Sequence, residues 1–428
     1  MKILAIETSC DDTGIAILEA KSKGASTRFT ILSNKVHTQL IHSEYGGVFP
    51  MMAKREHGKN IVPTLLSSLK EAKMLSTVKT AKIDLQKEKA IRKILEREND
   101  LADIFLEKIA TIKKPSLDNI AVTVGPGLEP ALWVGISMAR ALSLLWDIPI
   151  IPVNHMEGHV LSVLVKKDKT FTYKKDTLIF PVLSLLISGG HTELVLIKKL
   201  GLYKIIGQTR DDACGEAFDK VARMLGLPYP GGPEISRLAK EERSAEQEYI
   251  VSGSLAEADG PSRENFQQKI IRADRNNISS KAKSFTLPRP MMHSKDYDFS
   301  FSGLKTAVLY MIRDLPKDGL TDDVKSKIAK EFEDAVVDVL VAKTLRAVQE
   351  HTIKTIIVGG GVSGNTHLQS VLKQTIKKYS EEITLHFPTK ALSTDNALMI
   401  AIAGYFQSQY KNKKAKNTKL AAQGNLAL

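Results

Sequence analysis

The chain has 428 residues, 43% hydrophobic and 25% charged, the balance of a soluble globular protein with two or three domains of roughly 100–200 residues each. Two cysteines, Cys10 and Cys214, exclude a disulfide framework and point to a reducing compartment; the most apolar stretch, 131–153, is interrupted by Ser, Arg, Asp and Pro before it reaches the ~18 residues of a membrane span. A net charge of +13 favours polyanionic partners, nucleic acid ahead of an anionic membrane, with a merely solvated surface as the alternative.

Residues 2–18 read strand, polar turn, strand: Ile3-Leu4-Ala5-Ile6 and Ile15-Ala16-Ile17-Leu18 flank Glu7-Thr8-Ser9-Cys10-Asp11-Asp12-Thr13-Gly14. Because a strand starts at Lys2, no signal or transit segment is expected within this numbering. The hydroxyls and acids of the turn suit a hydrated metal–phosphate group beside exposed backbone N–H; a plain hairpin turn is the alternative. Gly46 to Pro50 enter a helix with a local basic cluster, and Lys70 to Lys114 read as one long lysine-rich helical stretch, one face packed and the other solvated.

A strand at Ile120–Val124, the turn Gly125-Pro126-Gly127, an apolar helix to Trp146 and a strand at Ile148–Val153 form a parallel βαβ unit, which sets the class as α/β. Asn154-His155-Met156-Glu157-Gly158-His159 follows. On a helix, His155 and His159 leave the same face one turn apart and can share a metal ion; the alternative is one capping and one core histidine. Glu157 stands two residues after the first His, so the His-Glu-x-x-His template is not met.

The opening pattern recurs at 183–197: Val182 to Ile187, the turn Ser188-Gly189-Gly190-His191-Thr192, then Glu193 to Ile197. Two copies suggest a duplication, with related halves facing a cleft. Here glycines let backbone N–H approach an anion, with Ser188, His191 and Thr192 as further donors; a hairpin that needs positive φ would explain the glycines alone. Asp211 to Lys220 open an amphipathic helix, Tyr229-Pro230-Gly231-Gly232-Pro233 form a rigid turn, and 240–297 read as a polar, partly disordered insertion. Helices are expected over Thr306–Arg313 and Asp322–Glu350. Gly359-Gly360-Gly361-Val362-Ser363-Gly364-Asn365 is a strand end running into a Gly-rich helix start, a weak dinucleotide match but a workable nucleoside shelf. Asp395 precedes the apolar helix Ala397–Phe406; it is either a first-turn acid or a third ligand completing a His₂–carboxylate set. The lysine-rich tail after Lys411 is expected to fray.

Together, the stretches 7–13, 154–159, 188–192, 359–365 and 393–396 closely resemble the universal tRNA adenosine threonylcarbamoyltransferases, once described as O-sialoglycoprotein endopeptidases. The resemblance spans nearly the whole chain outside 70–100 and 240–297. Residues 212–220 and 301–305 look like the bacterial and mitochondrial branch, with Cys214 in place of a more usual Ala. It implies an actin/Hsp70/sugar-kinase-like α/β fold of two related lobes, 1–153 completed by 394–428, and 154–393. It also implies transfer of a threonylcarbamoyl group from threonylcarbamoyl-AMP to the exocyclic amine of the adenosine 3′ of the anticodon, in tRNAs reading codons that begin with A. By the same resemblance His155, His159 and Asp395 hold a divalent metal, Zn or Fe. Ile187, Ser188, Gly189, Gly190, His191, Asp219, Gly232, Ser236 and Asn365 contact substrate. From its acidic turn, Asp11 is a candidate proton acceptor, the alternative being that it only orders phosphate or metal. A homodimer coupled to a threonylcarbamoyl-AMP synthase, located in mitochondria or else the bacterial cytoplasm, is the expected setting. The competing readings are a kinase of the same superfamily, a metallopeptidase and a nucleic-acid-binding scaffold.

Overall fold

The computed structural model describes residues 1–76, 83–98, 100–166, 168–256, 285–410 and 420–428, the side chains of 249–256 and of 410 excepted. The first half comprises strands β1 (Lys2–Glu7), β2 (Asp12–Lys23) and β3 (Ser26–Thr38), helices α1 (Ile41–Glu44), α2 (Pro50–Glu71), α3 (Leu85–Leu95) and α4 (Leu101–Lys108), then β4 (Asn119–Gly125), α5 (Glu129–Trp146), β5 (Ile150–Asn154), α6 (His155–Ser162) and β6 (Thr170–Lys174). The second comprises β7 (Val182–Ile187), β8 (Thr192–Lys199), β9 (Leu202–Gln208), α7 (Cys214–Met224), α8 (Gly231–Ala256), α9 (Ser302–Arg313), α10 (Asp322–Glu350), β10 (Thr355–Gly359), α11 (Thr366–Tyr379), β11 (Thr384–His386), α12 (Lys390–Ser393) and α13 (Ala397–Tyr410).

The two sheets repeat one topology, β5-β4-β1-β2-β3-β6 and β11-β10-β7-β8-β9. In each, the central strand pairs antiparallel with the next strand in sequence and parallel with a later one: β1 with β2 and β4, β7 with β8 and β10. The expected duplication is therefore present, in the arrangement of the actin/Hsp70/sugar-kinase fold. β6 adds to the edge of the first sheet by pairing with β3, so chain that was expected in the second lobe, up to 174, still serves the first sheet.

The period-2 alternation of the central strands decides the layers. Leu4 and Ile6 face the helices of α2 to α5, whereas Ile3 and Ala5 face a middle layer built from α6 and α13. Val182 and Leu186 of β7 meet that same middle layer from the other side, and Leu183, Leu185 and Ile187 face α7 to α11. Both faces of each sheet are covered, which is why β1 and β7 read as nearly unbroken apolar runs. Burying α6 and α13 between the sheets brings residue 155, residue 159 and residue 395 to one place.

Three expectations need correction. Residues 70–114 do not form one helix: α2 ends at Glu71, and α3 and α4 are separated by Asp100, whose φ of 62° is left-handed and interrupts the helical hydrogen bonds; residues 77–82 and 99 lie outside the described residues. The stretch 240–256 is not loosely patterned insertion but the second half of α8, packed along α10, while 257–284 lie outside the described residues. Of the tail, 411–419 are not among the described residues, and 420–428 return to the fold rather than fray: Gln423 N–H donates to Val124 O at 2.8 Å and Gly127 N–H to Gly424 O at 3.0 Å.

Candidate active site

Asn154 ends β5 and caps α6, its Oδ1 accepting from Met156 N–H at 2.8 Å and Glu157 N–H at 3.3 Å. From that fixed start His155 and His159 project to one side, with ring centroids 4.7 Å apart. Asp395, in the loop before α13, places Oδ1 3.4 Å from His155 Nε2 and 3.2 Å from His159 Nε2, and one ligand atom from each residue lies within 4.8 Å of the others. Despite that approach, both ring nitrogens of His159 are buried without an aligned hydrogen-bond partner. An orphaned imidazole costs about 1–3 kcal/mol, a penalty that a coordinated cation removes, so the donor set fits a divalent metal. Burial opposes charge on Asp395, yet His155 and then His159 outweigh it and hold its carboxyl well below the usual range.

His155 is oriented from behind by Glu7, fully buried at the end of β1, whose Oε2 lies 3.2 Å from His155 Nδ1. Burial disfavours the Glu7 carboxylate, but His155 more than compensates and its pKa is lowered. A carboxylate only accepts, so Nδ1 carries the proton towards Glu7, which leaves Nε2, on the Asp395 side, as the nitrogen that could coordinate a metal ion. Glu7 itself is held by Ser9 N–H at 2.6 Å on Oε1 and by the Thr123 hydroxyl at 2.5 Å on Oε2. Glu157 takes no part in this: two residues from either histidine, it points elsewhere on α6 and accepts from Tyr203 Oη at 2.8 Å and Gln407 Nε2 at 2.5 Å. The metallopeptidase reading therefore lacks its general base.

The turn between β7 and β8 forms the next wall. Ser188 N–H donates to His191 O at 2.9 Å and His191 N–H to Ser188 Oγ at 3.1 Å. Neither Gly189 nor Gly190 has a left-handed φ, and a Cβ on either would meet nothing within 4 Å. Neither the backbone nor a neighbouring group requires glycine here, so a hairpin that needs positive φ does not explain the pair. Two other glycines press the turn into place: a Cβ at Gly215 would lie 2.7 Å from Ser188 O, and one at Gly360, with φ of 89°, 2.4 Å from Ile187 O. The His191 imidazole is pushed down to about 4 by burial, and then by His155 and His159, so it is a neutral group within electrostatic reach of that pair.

Across the cleft, burial followed by the nearby Asp395 raises the Asp11 carboxyl. Asp219, on α7, is also raised by burial; it accepts from Gly231 N–H at 2.8 Å and feels Asp11 from the other lobe. Gly231 must be glycine because a Cβ would sit 2.3 Å from Ala222 Cβ, while Gly232 faces open space. Asn365 caps α11 through Leu368 N–H and donates to Ser236 Oγ at 3.0 Å, joining those two residues on one wall. Thus His155, His159, His191, Asp395 and Asp11 share one neighbourhood, Asp11 is in turn coupled to Asp219, and Ser236 with Asn365 forms a separate polar station.

Sequence reasoning missed Glu7, Thr123, Asp12 and His57. The Asp12 carboxyl is pushed up to about 7 by burial, with neighbouring Asp395, Asp11 and Glu7 adding to it. His57, on α2, fixes the opening turn, its ring nitrogens 2.7 Å from Thr13 Oγ1 and 3.0 Å from Cys10 O. The available signal was Glu7 itself, a charged residue closing an apolar strand.

A family model described as tRNA N6-adenosine threonylcarbamoyltransferase matches residues 30–85, 86–271 and 265–402. The tRNA N6-adenosine threonylcarbamoyltransferase of Chromobacterium violaceum is 38% identical over 413 residues, 96% of this chain and 94% of its own length. That of Dictyoglomus turgidum is 38% identical over 415 residues, 96% of each chain. Among solved structures, (R)-2-hydroxyglutaryl-CoA dehydratase component A of Acidaminococcus fermentans is 10% identical with a TM-score of 0.43, covering 96% of this chain and 99% of that one. Matched almost end to end by the family model and by these relatives, the chain belongs to the tRNA N6-adenosine threonylcarbamoyltransferases, transferases that form N6-threonylcarbamoyladenosine in tRNA.

Proposed function

We propose that the donor is threonylcarbamoyl-AMP, that it lies between the Ser188–His191 turn and the wall carrying Asp219, Gly232, Ser236 and Asn365, and that His155, His159 and Asp395 hold one divalent ion, Zn or Fe, at its reacting end. The observation that carries this reading is the adjacency of two features: an open glycine turn with no conformational need for glycine, and the three ligand atoms beside its His191. Backbone N–H groups at Gly189 and Gly190 suit the phosphate or carbamoyl oxygens. His₂–carboxylate sets with open positions suit either metal, and a bound ion would supply polarisation of the carbamoyl carbonyl.

The protein's own groups account for the remainder. Holding donor and adenosine in one cleft makes the encounter effectively unimolecular. The exocyclic nitrogen attacks the carbamoyl carbon, a C–N bond forms, the C–O bond to the phosphate breaks, and AMP leaves with that electron pair. The nitrogen loses one proton. Asp11, its carboxyl raised by burial and by Asp395, is the candidate acceptor. The acceptor is a tRNA reading codons that begin with A, modified 3′ of its anticodon, and the donor comes from a separate threonylcarbamoyl-AMP synthase.

Purified full-length protein, unmodified tRNA and threonylcarbamoyl-AMP should yield the modified nucleoside by mass spectrometry; no product with any metal added back overturns the donor assignment. We also propose a homodimer working in mitochondria, the bacterial cytoplasm being the alternative, because the lysine-rich stretches enlarge the chain. A strict monomer by light scattering, active only once bacterial-type partners are added, overturns both. Among the described residues no helix is long and apolar enough to cross a membrane.

A further inference from the structure

Glu333 sits in the middle of α10 with a side chain only 1% exposed, among Phe332, Ala335, Val336 and Val337. A carboxylate at that depth survives only with donors on both oxygens. Its Oε2 accepts from Arg243 Nη1 of α8 at 2.7 Å, and its Oε1 accepts from Asn365 Nδ2 at 2.6 Å. The same guanidinium reaches Asp334 Oδ1 through Nη2 at 2.5 Å, and Asp334 lies 2.9 Å from His367 Nε2 in the first turn of α11. Burial works against the Asp334 charge, but His367 and Arg243 outweigh it and hold this carboxyl far below the usual range. One half-buried network, with Glu333 at its buried end, thus ties α8, α10 and the start of α11 together around Asn365.

The consequence is for Asn365 and Ser236. Because Glu333 can only accept, the Asn365 amide has one permitted orientation: Nδ2 towards Glu333 and Ser236, Oδ1 towards Leu368 N–H, which it caps at 2.8 Å. Both N–H groups of the amide are then committed inside the protein. Ser236 Oγ receives one of them, so its own proton is free to point outward to an acceptor. We infer that Glu333, braced by Arg243, is a positioning residue for donor binding, which through Asn365 sets the Ser236 hydroxyl as a hydrogen-bond donor to the nucleoside part of the adenylate. This rests on the placement of the adenylate under the proposed function. Glu333 itself touches no substrate.

The test is calorimetric titration of the metal-loaded full chain with AMP, together with separate KM values for threonylcarbamoyl-AMP and for tRNA. Glu333→Gln keeps a single acceptor oxygen, which the charged, donor-only Arg243 guanidinium claims; the new N–H then faces Asn365 Nδ2, which already donates, and releases the amide. Glu333→Gln and Ser236→Ala should each weaken AMP binding and raise the donor KM about tenfold, the value of one lost hydrogen bond to a polar ligand group. Because both act through one hydroxyl, the double variant should bind AMP no worse than the weaker single. The tRNA KM and the kcat at saturating donor should stay within about twofold, a split that general loosening of the fold would not give. Wild-type affinity for AMP in Glu333→Gln, or losses that multiply in the double variant, overturns the inference. Should Glu333→Gln fail to fold, Ser236→Ala decides alone: wild-type affinity for AMP in that variant also overturns it. If the wild type modifies tRNA but binds no AMP, the adenylate placement falls and this inference with it, whereas AMP binding that ignores both substitutions sinks the inference only.

Discussion

Glu7 and His57 hold the opening turn from two sides, and each gives a distinct experiment. Glu7 fixes the tautomer of His155, so Glu7→Gln should leave the protein folded while weakening zinc about 10- to 100-fold in a competition titration, the usual effect of losing such a support. His155→Ala and His159→Ala should lower bound metal further and abolish modification; zinc affinity at wild-type level in all three would refute the ligand set. His57 is a matter of pH. Burial pushes its imidazole down from 6.5 to about 4, so the unfolded chain takes up the proton first as the solution is acidified. The stabilisation is complete above about pH 6.5 and is lost as pH falls towards 4. Between pH 7 and 4.5, denaturant unfolding of the wild type should lose roughly 2–3 kcal/mol more than that of His57→Gln, and equal losses would show that His57 is not buried neutral.

Two glycines of the same neighbourhood should respond in opposite ways, because their elements use them differently. Gly360 follows β10 with φ of 89° and would drive a Cβ into Ile187 O, so Gly360→Ala should destabilise the protein by about 2 kcal/mol or more. Gly189 has an ordinary φ and open space, so Gly189→Val should keep the melting temperature within a few degrees yet block AMP. The pair is read by denaturation and by calorimetry; a Gly189→Val chain that binds AMP normally makes the β7–β8 turn purely structural. The C-terminal segment 420–428 is an element of the same kind, since a Cβ at Gly125 would lie 2.0 Å from Gln423 O. It also reaches the start of α6, the Asn154 amide donating to Ala427 O at 3.1 Å while its other end caps that helix.

The charge of the whole chain, +13, belongs with its substrate class. An anticodon arm is recognised largely through phosphates, and each neutralised phosphate releases condensed counterions. With about five such contacts, tRNA affinity should fall more than ~100-fold between 50 and 200 mM salt. Filter binding across that range would measure it, and a nearly flat profile would mean that the basic side chains are only a solvated surface.

The α/β class, the duplication and the pairing of His155 with His159 on one helix face could be read from order and spacing because each is a local property: strands alternating with helices, a polar turn between two apolar strands, imidazoles four apart. Local chemistry survives in any context that forms the same element. Glu7 supporting His155, His57 gripping Cys10 and Glu333 committing Asn365 are contacts between residues 148, 47 and 32 positions apart. No spacing encodes them; they exist because α6 and α13 lie between two sheets and because α8 runs on past Lys240 to lie along α10. For the same reason the helix boundaries in 70–114 and the fate of the C-terminal residues were misread. Propensity favoured one long lysine-rich helix and a frayed tail, and packing against the first sheet's outer helices and against β4 overrode both.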